Sequence, residues 1–241
     1  MSSCRRRSSQ FKQTARGWTL CLVAGFAWLG LAAPATAGSW VYGDSAARHN
    51  SVFVFGGRMS TGDWASTSIF NQNYSDTQRY DNSIAGAAYD RDVYDWGGGW
   101  LLRGEVGFAD RFGHYKVCCG TGGRDATQIS SSELNSYEFW FGPQIRREGI
   151  ALGDTVRMSV AVTGGFSYVT SSIGREQQRE IDYDGQGHLL FYGAYEFGFS
   201  LTGHPNVELV YRLTHRSGLN GTLGNMREGY NANVLGLRYR F

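Results

Sequence analysis

Apolar and polar residues alternate along several short stretches of the chain. Within residues 100–108 the even positions are apolar or glycine, whereas Arg103 and Glu105 occupy odd positions. The same period of two recurs over residues 156–163 and 189–200. Side chains alternate between the two faces of a β-strand, so this period predicts strands with one apolar face and one polar or small face.

Eight such strands are predicted, and the connections between them alternate strictly between long and short. The predicted strands lie near residues 51–59, 83–94, 99–110, 134–145, 155–170, 188–201, 206–217 and 230–241. Short periplasmic turns, long external loops and strands of about 9 to 11 residues are typical of barrels in the bacterial outer membrane. The sequence therefore predicts an all-β protein, an eight-stranded antiparallel transmembrane β-barrel of the bacterial outer membrane.

The first 37 residues have the pattern of an export signal. They contain five basic side chains and no acidic one, then an apolar run from Trp18 to Ala33, then Ala35-Thr36-Ala37. A basic head, an apolar middle and small residues before the cleavage point describe a secretory signal peptide. We therefore expect a signal peptide at residues 1–37 and the barrel at residues 38–241, in the outer membrane of the cell.

Charge and composition narrow the class of function. Five of the 23 basic side chains belong to the signal, so 18 remain against 21 acidic ones, and nucleic acid is not an expected partner. The chain has 34 glycines and 15% aromatic residues, which suits short strands better than helices. No apolar stretch after the signal approaches the roughly 20 residues that a membrane helix requires.

Charged residues are also predicted to face the barrel interior. Both signs are present in the inward set Arg103, Glu105, Glu138, Arg157, Glu196, Glu208, Arg212, Arg238 and Arg240. Eight strands leave an interior just wide enough for side chains. An ion-paired filling is therefore favoured over a diffusion channel.

The last predicted strand ends on alternating apolar residues, Leu235, Leu237, Tyr239 and Phe241. This ending resembles the C-terminal sorting signal of outer-membrane barrels. It predicts that the barrel-assembly machinery is a partner and that it recognises Phe241.

The seventh predicted strand carries a polar pair on its lipid-facing side. His215 and Ser217 share a face with Val207, Leu209 and other apolar residues. Near the external end of the strand, this pair would meet a lipid from within the membrane plane. It is the candidate site for lipid chemistry.

The stretch that carries this pair is YRLTHRSGLNGTLGNMREGYNANVLGLRYRF, from Tyr211 to Phe241. It resembles the last two strands of the lipid A 3-O-deacylase (PagL-like, acyloxyacyl hydrolase-like) family. The resemblance implies a serine hydrolase that removes the 3-O-linked hydroxyacyl chain from lipid A of lipopolysaccharide, without a metal or other cofactor. It covers about the last 30 residues and the general plan of the barrel.

The resemblance implies that His215 is the base and Ser217 the nucleophile. A serine hydroxyl becomes an effective nucleophile when an adjacent base accepts its proton and a third group orients that base. The family usually has asparagine directly after the serine, whereas this chain has Gly218. Candidates for the missing oxyanion donor are the Gly218 amide, Asn220 and Asn225.

Two residues are candidates for the group that orients His215. The family's acid aligns with Asn231, which carries no charge but has the same strand parity as His215. Glu228 has the carboxylate but the opposite parity. Both alternatives stay open at the level of sequence.

Other functions are compatible with the same sequence. A non-catalytic barrel with a structural or surface-interaction role is the main alternative, and a narrow channel is the least favoured. Cys118 and Cys119 are adjacent in the second long connection, where a disulfide between neighbours would be strained.

Overall fold

The structure is a computed structural model that describes residues 39–40, 49–60, 80–114 and 133–241. The predicted signal peptide at residues 1–37 lies outside the described residues, as do Cys118 and Cys119. The signal peptide and the state of the two cysteines therefore remain predictions from the sequence.

Eight antiparallel strands close into a barrel, and this confirms the predicted fold class. The strands are β1 (Asn50–Ser60), β2 (Tyr80–Gly97), β3 (Trp100–His114), β4 (Glu133–Leu152), β5 (Val156–Val169), β6 (Leu189–Leu201), β7 (His204–Ser217) and β8 (Asn231–Arg240). Each pairs with its neighbour in the chain, and β8 also pairs with β1. A two-residue segment, Ser39–Trp40, adds to β2 opposite Asp95 and Tyr94. Closure leaves no unpaired barrel edge.

The connections lie at two distinct ends. Three short turns, at residues 98–99, 153–155 and 202–203, define the short-turn end. The described connections at residues 170–188 and 218–230 lie at the opposite end, where β1 also ends at Ser60 and β3 at His114, and we call it the long-loop end. Strand β4 runs to Leu152, farther than the predicted boundary at residue 145, because its pairing with β5 resumes after a bulge between Arg147 and Ile150.

The outer wall of the barrel is predominantly apolar. Leu209 of β7 lies opposite Leu237 of β8, and the two side chains are 46% and 58% exposed. Other exposed apolar residues are Val54, Tyr89, Val106, Phe108, Phe139, Phe141, Phe166, Phe199, Val207, Leu235 and Tyr239. Such a wall would be unfavourable in water, and it matches the lipid-facing band of a transmembrane barrel.

None of the described residues belongs to a helix that is both long and apolar enough to cross a bilayer.

The barrel interior is filled by ion pairs, as the sequence predicted. Arg212 Nη2 lies 2.6 Å from Glu105 Oε2, and Arg103 Nε lies 2.7 Å from Asp92 Oδ1. Two further pairs, Arg146 with Glu208 at 2.7 Å and Arg238 with Glu196 at 2.8 Å, complete the network around these residues. The guanidinium groups of Arg212 and Arg238 also lie 5.0 and 5.2 Å from the ring centre of Phe53. Buried charges are tolerated because each has a partner of opposite sign.

The long-loop end contains a helix that the sequence did not predict. Helix α1 (Gly174–Tyr183) falls in the charged stretch after β5. Its Glu176 is fully buried and accepts hydrogen bonds from Arg111, at 2.8 Å, and from Arg216. Arg179 of the same helix is also buried. Glu176 of the helix therefore pairs with arginines of β3 and β7 at this end of the barrel.

Candidate functional site

His215 and Asn231 form a hydrogen-bonded pair across β7 and β8. The two residues are directly opposite each other in the register of the strands. Odd positions of both strands face outward, since the even residues Arg212, Thr214 and Arg216 are buried inside the barrel. His215 Nδ1 lies 2.6 Å from Asn231 Oδ1, and Asn231 is fully buried. Strand parity in the sequence placed His215 and Asn231 on the same face, and the structure brings them into contact on the outer wall.

This hydrogen bond selects a tautomer of His215. Asn231 presents its carbonyl oxygen, which can only accept, so Nδ1 of the imidazole is the donor. A neutral imidazole protonated at Nδ1 has its lone pair on Nε2. Nε2 is then the nitrogen that can accept a proton, as in the arrangement of a serine hydrolase base.

Ser217 lies on the same outward face, two residues beyond His215. Its hydroxyl donates a hydrogen bond to the carbonyl oxygen of Arg227, at 2.9 Å, and accepts one from the amide of Leu219, at 3.0 Å. Both partners belong to the connection between β7 and β8. The hydroxyl proton is therefore directed to the loop.

Glu228 takes part in a different contact from the one considered from sequence. Its carboxylate Oε2 lies 2.8 Å from Nη2 of Arg179, in helix α1. The same guanidinium donates to the carbonyl oxygen of Gly229 at 2.7 Å. Glu228 therefore joins the loop to the helix, whereas Asn231 is the residue hydrogen-bonded to His215 Nδ1.

The three oxyanion candidates have distinct environments. Asn225 donates from Nδ2 to the carbonyl oxygen of Tyr183 at 2.7 Å, which ties it to the end of helix α1. Asn220 is exposed and has a left-handed backbone with φ of 60°. Gly218 is buried, and a Cβ at this position would lie 2.0 Å from the carbonyl oxygen of Met226.

The contact at Gly218 accounts for the glycine at this position. An asparagine there would collide with the backbone of residues 223–226, so the folded loop requires glycine. Of the three candidates, the Gly218 backbone amide is adjacent to Ser217 in the chain. Because it is a backbone group, it can serve as the oxyanion donor without any change of side-chain contacts.

Arg179 is a residue near the site that sequence reasoning missed. It contacts the loop through Glu228 at 2.8 Å and the carbonyl oxygen of Gly229 at 2.7 Å. No signal in the sequence placed it there, because its position depends on the helix and on its contacts with Glu228 and Gly229, far away in the chain. As for metals, the described ranges contain no cluster of three or more His, Cys, Asp and Glu side chains suited to hold an ion.

The fold and the site together define a closed eight-stranded β-barrel with a polar pair on its apolar outer wall. No family model matches the sequence, and no curated protein matches it. Among solved structures, the chain is similar to the outer membrane enzyme PagL, with 13% identity and a TM-score of 0.45, over 79% of this chain and 99% of that one.

Two further solved structures are similar at the same low level. Ail, the attachment invasion locus protein of Yersinia pestis, has 14% identity and a TM-score of 0.35, over 81% of this chain and all of that one. The outer membrane protein OprG from Pseudomonas aeruginosa has 9% identity and a TM-score of 0.39, over 80% of this chain and 96% of that one. These weak similarities transfer no residue role to this protein.

Proposed function

We propose that the protein is an esterase of the bacterial outer membrane that removes the 3-O-linked hydroxyacyl chain from lipid A. One observation carries the proposal. His215 is oriented by Asn231 on the lipid-facing wall, two residues before a serine. The resemblance of residues 211–241 to the lipid A 3-O-deacylase family supports the same assignment.

The orientation of the barrel supports a substrate in the outer leaflet. In outer-membrane barrels the short turns are periplasmic and the longer loops are external. His215 and Ser217 lie at the long-loop end of β7. With the usual orientation, they face the outer leaflet, where lipopolysaccharide resides.

The proposed reaction is an acyl transfer through Ser217. The hydroxyl rotates away from the carbonyl of Arg227, and its oxygen attacks the ester carbonyl carbon while Nε2 of His215 takes the proton. Collapse of the tetrahedral intermediate breaks the ester bond, and the imidazolium returns the proton to the departing sugar oxygen. A water molecule, deprotonated by Nε2 of His215, then attacks the acyl-serine. This step releases the fatty acid and restores Ser217.

Asn231 and Gly218 act on this reaction in different ways. Asn231 holds the imidazole with Nε2 unprotonated and keeps its hydrogen bond when the ring becomes charged. The amide of Gly218 is the proposed donor to the oxyanion of the intermediate. A donor at that point stabilises charge that develops only in the transition state.

The alternative function is a non-catalytic barrel with a structural or surface-interaction role. The hydrogen bond from Ser217 to the carbonyl of Arg227 favours it, because the serine then serves to fix the loop between β7 and β8. In this case His215 and Asn231 are polar residues near the membrane surface, where their cost is only about 0 to 1 kcal/mol.

Mass spectrometry of lipid A separates the two functions. Lipid A would be compared from cells that lack the protein and from cells that produce the wild type, Ser217→Ala or Ser83→Ala. Ser83 is a matched control because it is an outward-facing serine on β2, distant in the strand register from His215. We expect the wild type and Ser83→Ala to remove the mass of one hydroxyacyl chain.

Ser217→Ala should leave lipid A intact while the barrel still migrates as a folded, heat-modifiable protein. Unchanged lipid A in cells with folded wild-type protein would favour the non-catalytic barrel. Full activity of Ser217→Ala would exclude Ser217 as the nucleophile.

A further inference from the structure

A short segment of the chain connects helix α1 to the candidate site. Residues 228–231 lead from the connection after β7 into the start of β8, where Asn231 is hydrogen-bonded to His215. Gly229 already follows the course of the strand, because its amide donates to the carbonyl oxygen of Arg216 at 2.8 Å. A group that fixes Gly229 therefore also fixes the position from which Asn231 reaches His215.

Arg179 of helix α1 holds this segment by two contacts. Its guanidinium donates to the carbonyl oxygen of Gly229 at 2.7 Å and lies 2.8 Å from the carboxylate of Glu228. The side chain of Arg179 is only 3% exposed, whereas that of Glu228 is 32% exposed. A hydrogen bond from a charged donor is stronger than a neutral one and gains strength where water is excluded, while partly exposed ion pairs contribute little. The bond to the Gly229 carbonyl is therefore the main constraint on the segment.

The backbone of the segment also lies directly against the helix. A Cβ added at Gly229 would be 2.8 Å from Oε1 of Glu176, so a larger residue would require a shift of that side chain. Glu176 is itself fixed, since it is fully buried and accepts hydrogen bonds from Arg111 and Arg216. Glu176 and Arg179 are three residues apart and are therefore neighbours on the helix surface. The attachment of the helix to the barrel thus determines where the Arg179 guanidinium lies.

We infer that Arg179 is a positioning residue of the candidate site. By holding Gly229, it keeps the side-chain oxygen of Asn231 in line with Nδ1 of His215. Without this contact the start of β8 can shift, and the imidazole loses the group that orients it. The inference rests on the proposed function and makes helix α1 part of the arrangement that fixes the base.

A double-mutant cycle tests whether Arg179 acts through Asn231. Initial rates of acyl release from purified lipid A are compared for the wild type, Arg179→Gln, Asn231→Ala and the combined variant. We expect Arg179→Gln to lower kcat about tenfold with little change in KM, because it removes a charged hydrogen bond that supports the base. In the Asn231→Ala background the same change should cost less than about twofold, since the hydrogen bond that Arg179 supports is already absent.

Two variants control for effects on structure. Arg175→Gln removes an exposed arginine from the first turn of the same helix and should leave the rate unchanged. Arg179→Lys keeps a charged donor for one of the two acceptors, so its loss of activity should be smaller than that of Arg179→Gln. Heat-modifiable migration is measured for every variant. If Arg179→Gln does not fold, the same cycle is carried out with Arg179→Lys.

NMR of the imidazole gives a measurement that does not require turnover. In folded protein with isotopically labelled histidine, the Nδ1–H group of His215 is identified by its loss in His215→Asn. We expect Arg179→Gln to weaken or abolish this signal, because the proton exchanges faster with water when its acceptor is displaced. Arg175→Gln should leave the signal in place.

The results separate the role of Arg179 from the esterase activity. Equal losses from Arg179→Gln in the wild-type and Asn231→Ala backgrounds would overturn the inference, as would a loss from Arg179→Lys as large as that from Arg179→Gln. If the Nδ1–H signal depends on Arg179 while wild-type protein leaves lipid A intact, the positioning role is established and the esterase proposal fails. If acyl release is observed but Arg179→Gln changes neither rate nor signal, the esterase stands and the role of Arg179 is rejected.

Discussion

The barrel interior and the outer wall around His215 use polar residues in opposite ways. The interior contains many charges, and those of Arg212 and Glu105 are fully buried in contact with each other. The outer wall has few polar groups, and those near His215 lie toward the long-loop end, beyond apolar residues such as Leu209 and Leu237 that remain about half exposed. Polar groups are thus abundant where they satisfy one another and sparse where lipid is the expected neighbour.

This difference shows where functional residues are to be sought. Inside the barrel, a charge is explained once its partner is known, because the pair fills space and neutralises itself. On the outer wall, a polar side chain faces the apolar environment of lipid, so its presence there needs a separate explanation. The His215–Asn231 pair therefore carries more information about function than the larger network inside.

Replacing the base should have the largest effect on activity and almost none on folding. His215→Asn removes the proton acceptor of the proposed reaction, so we expect acyl release to fall by several orders of magnitude. The barrel should still fold, because the strand pairing and the interior ion pairs are unchanged. Acyl release and heat-modifiable migration would be measured together, with His204→Asn at the exposed start of β7 as control. Retained activity would exclude His215 as the base.

Breaking an interior pair should give the reverse result. Arg212→Met leaves Glu105 and Glu196 without their shared partner, which should lower the free energy of unfolding by about 3–5 kcal/mol. The exposed Arg91 serves as control, because Arg91→Met removes a charge that is not buried. Urea unfolding of both variants in detergent would be compared with the wild type. Equal stability of the two variants would mean that the interior network does not hold the barrel together.

The sequence predicted the barrel well because strand parity is a local property. Alternation identified which residues of β7 and β8 face outward, and this placed His215 and Asn231 on one surface. Helix α1 could not be predicted in this way. Its charged sequence resembles a solvated loop, and Glu176 becomes buried only because Arg111 and Arg216 reach it from strands far away in the chain.

The two candidates for orienting His215 could not be separated from the sequence, again because the deciding contact joins residues far apart in the chain. Sequence offered a carboxylate at Glu228 and a suitable parity at Asn231, without a way to choose between them. The choice depends on Arg179, which lies in the unpredicted helix and pairs with Glu228. A long-range contact thus determines the environment of a residue whose chemistry is evident from sequence.

Changing Asn231 should reduce activity to an intermediate degree. Asn231→Ala removes the hydrogen bond to Nδ1 and lets the ring rotate or change tautomer, so we expect about a tenfold loss of acyl release. Asn231→Asp keeps an acceptor at the same place and adds a negative charge, so its activity should match or exceed the wild type. Initial rates with purified lipid A would check both. Equal losses in the two variants would show that Asn231 acts only through packing.

Changing Glu228 should have the smallest effect, and the result decides between the two candidates. Glu228→Gln keeps an oxygen that can accept from Arg179, while it removes a charge from a pair whose acidic side chain is 32% exposed. Because such partly exposed pairs contribute little, acyl release should stay within about threefold of the wild type. The matched comparison is Asn231→Ala, measured at the same protein concentration and in the same detergent. A loss from Glu228→Gln larger than that from Asn231→Ala would mean that the carboxylate orients His215 during the reaction, with Arg179 released from its contact.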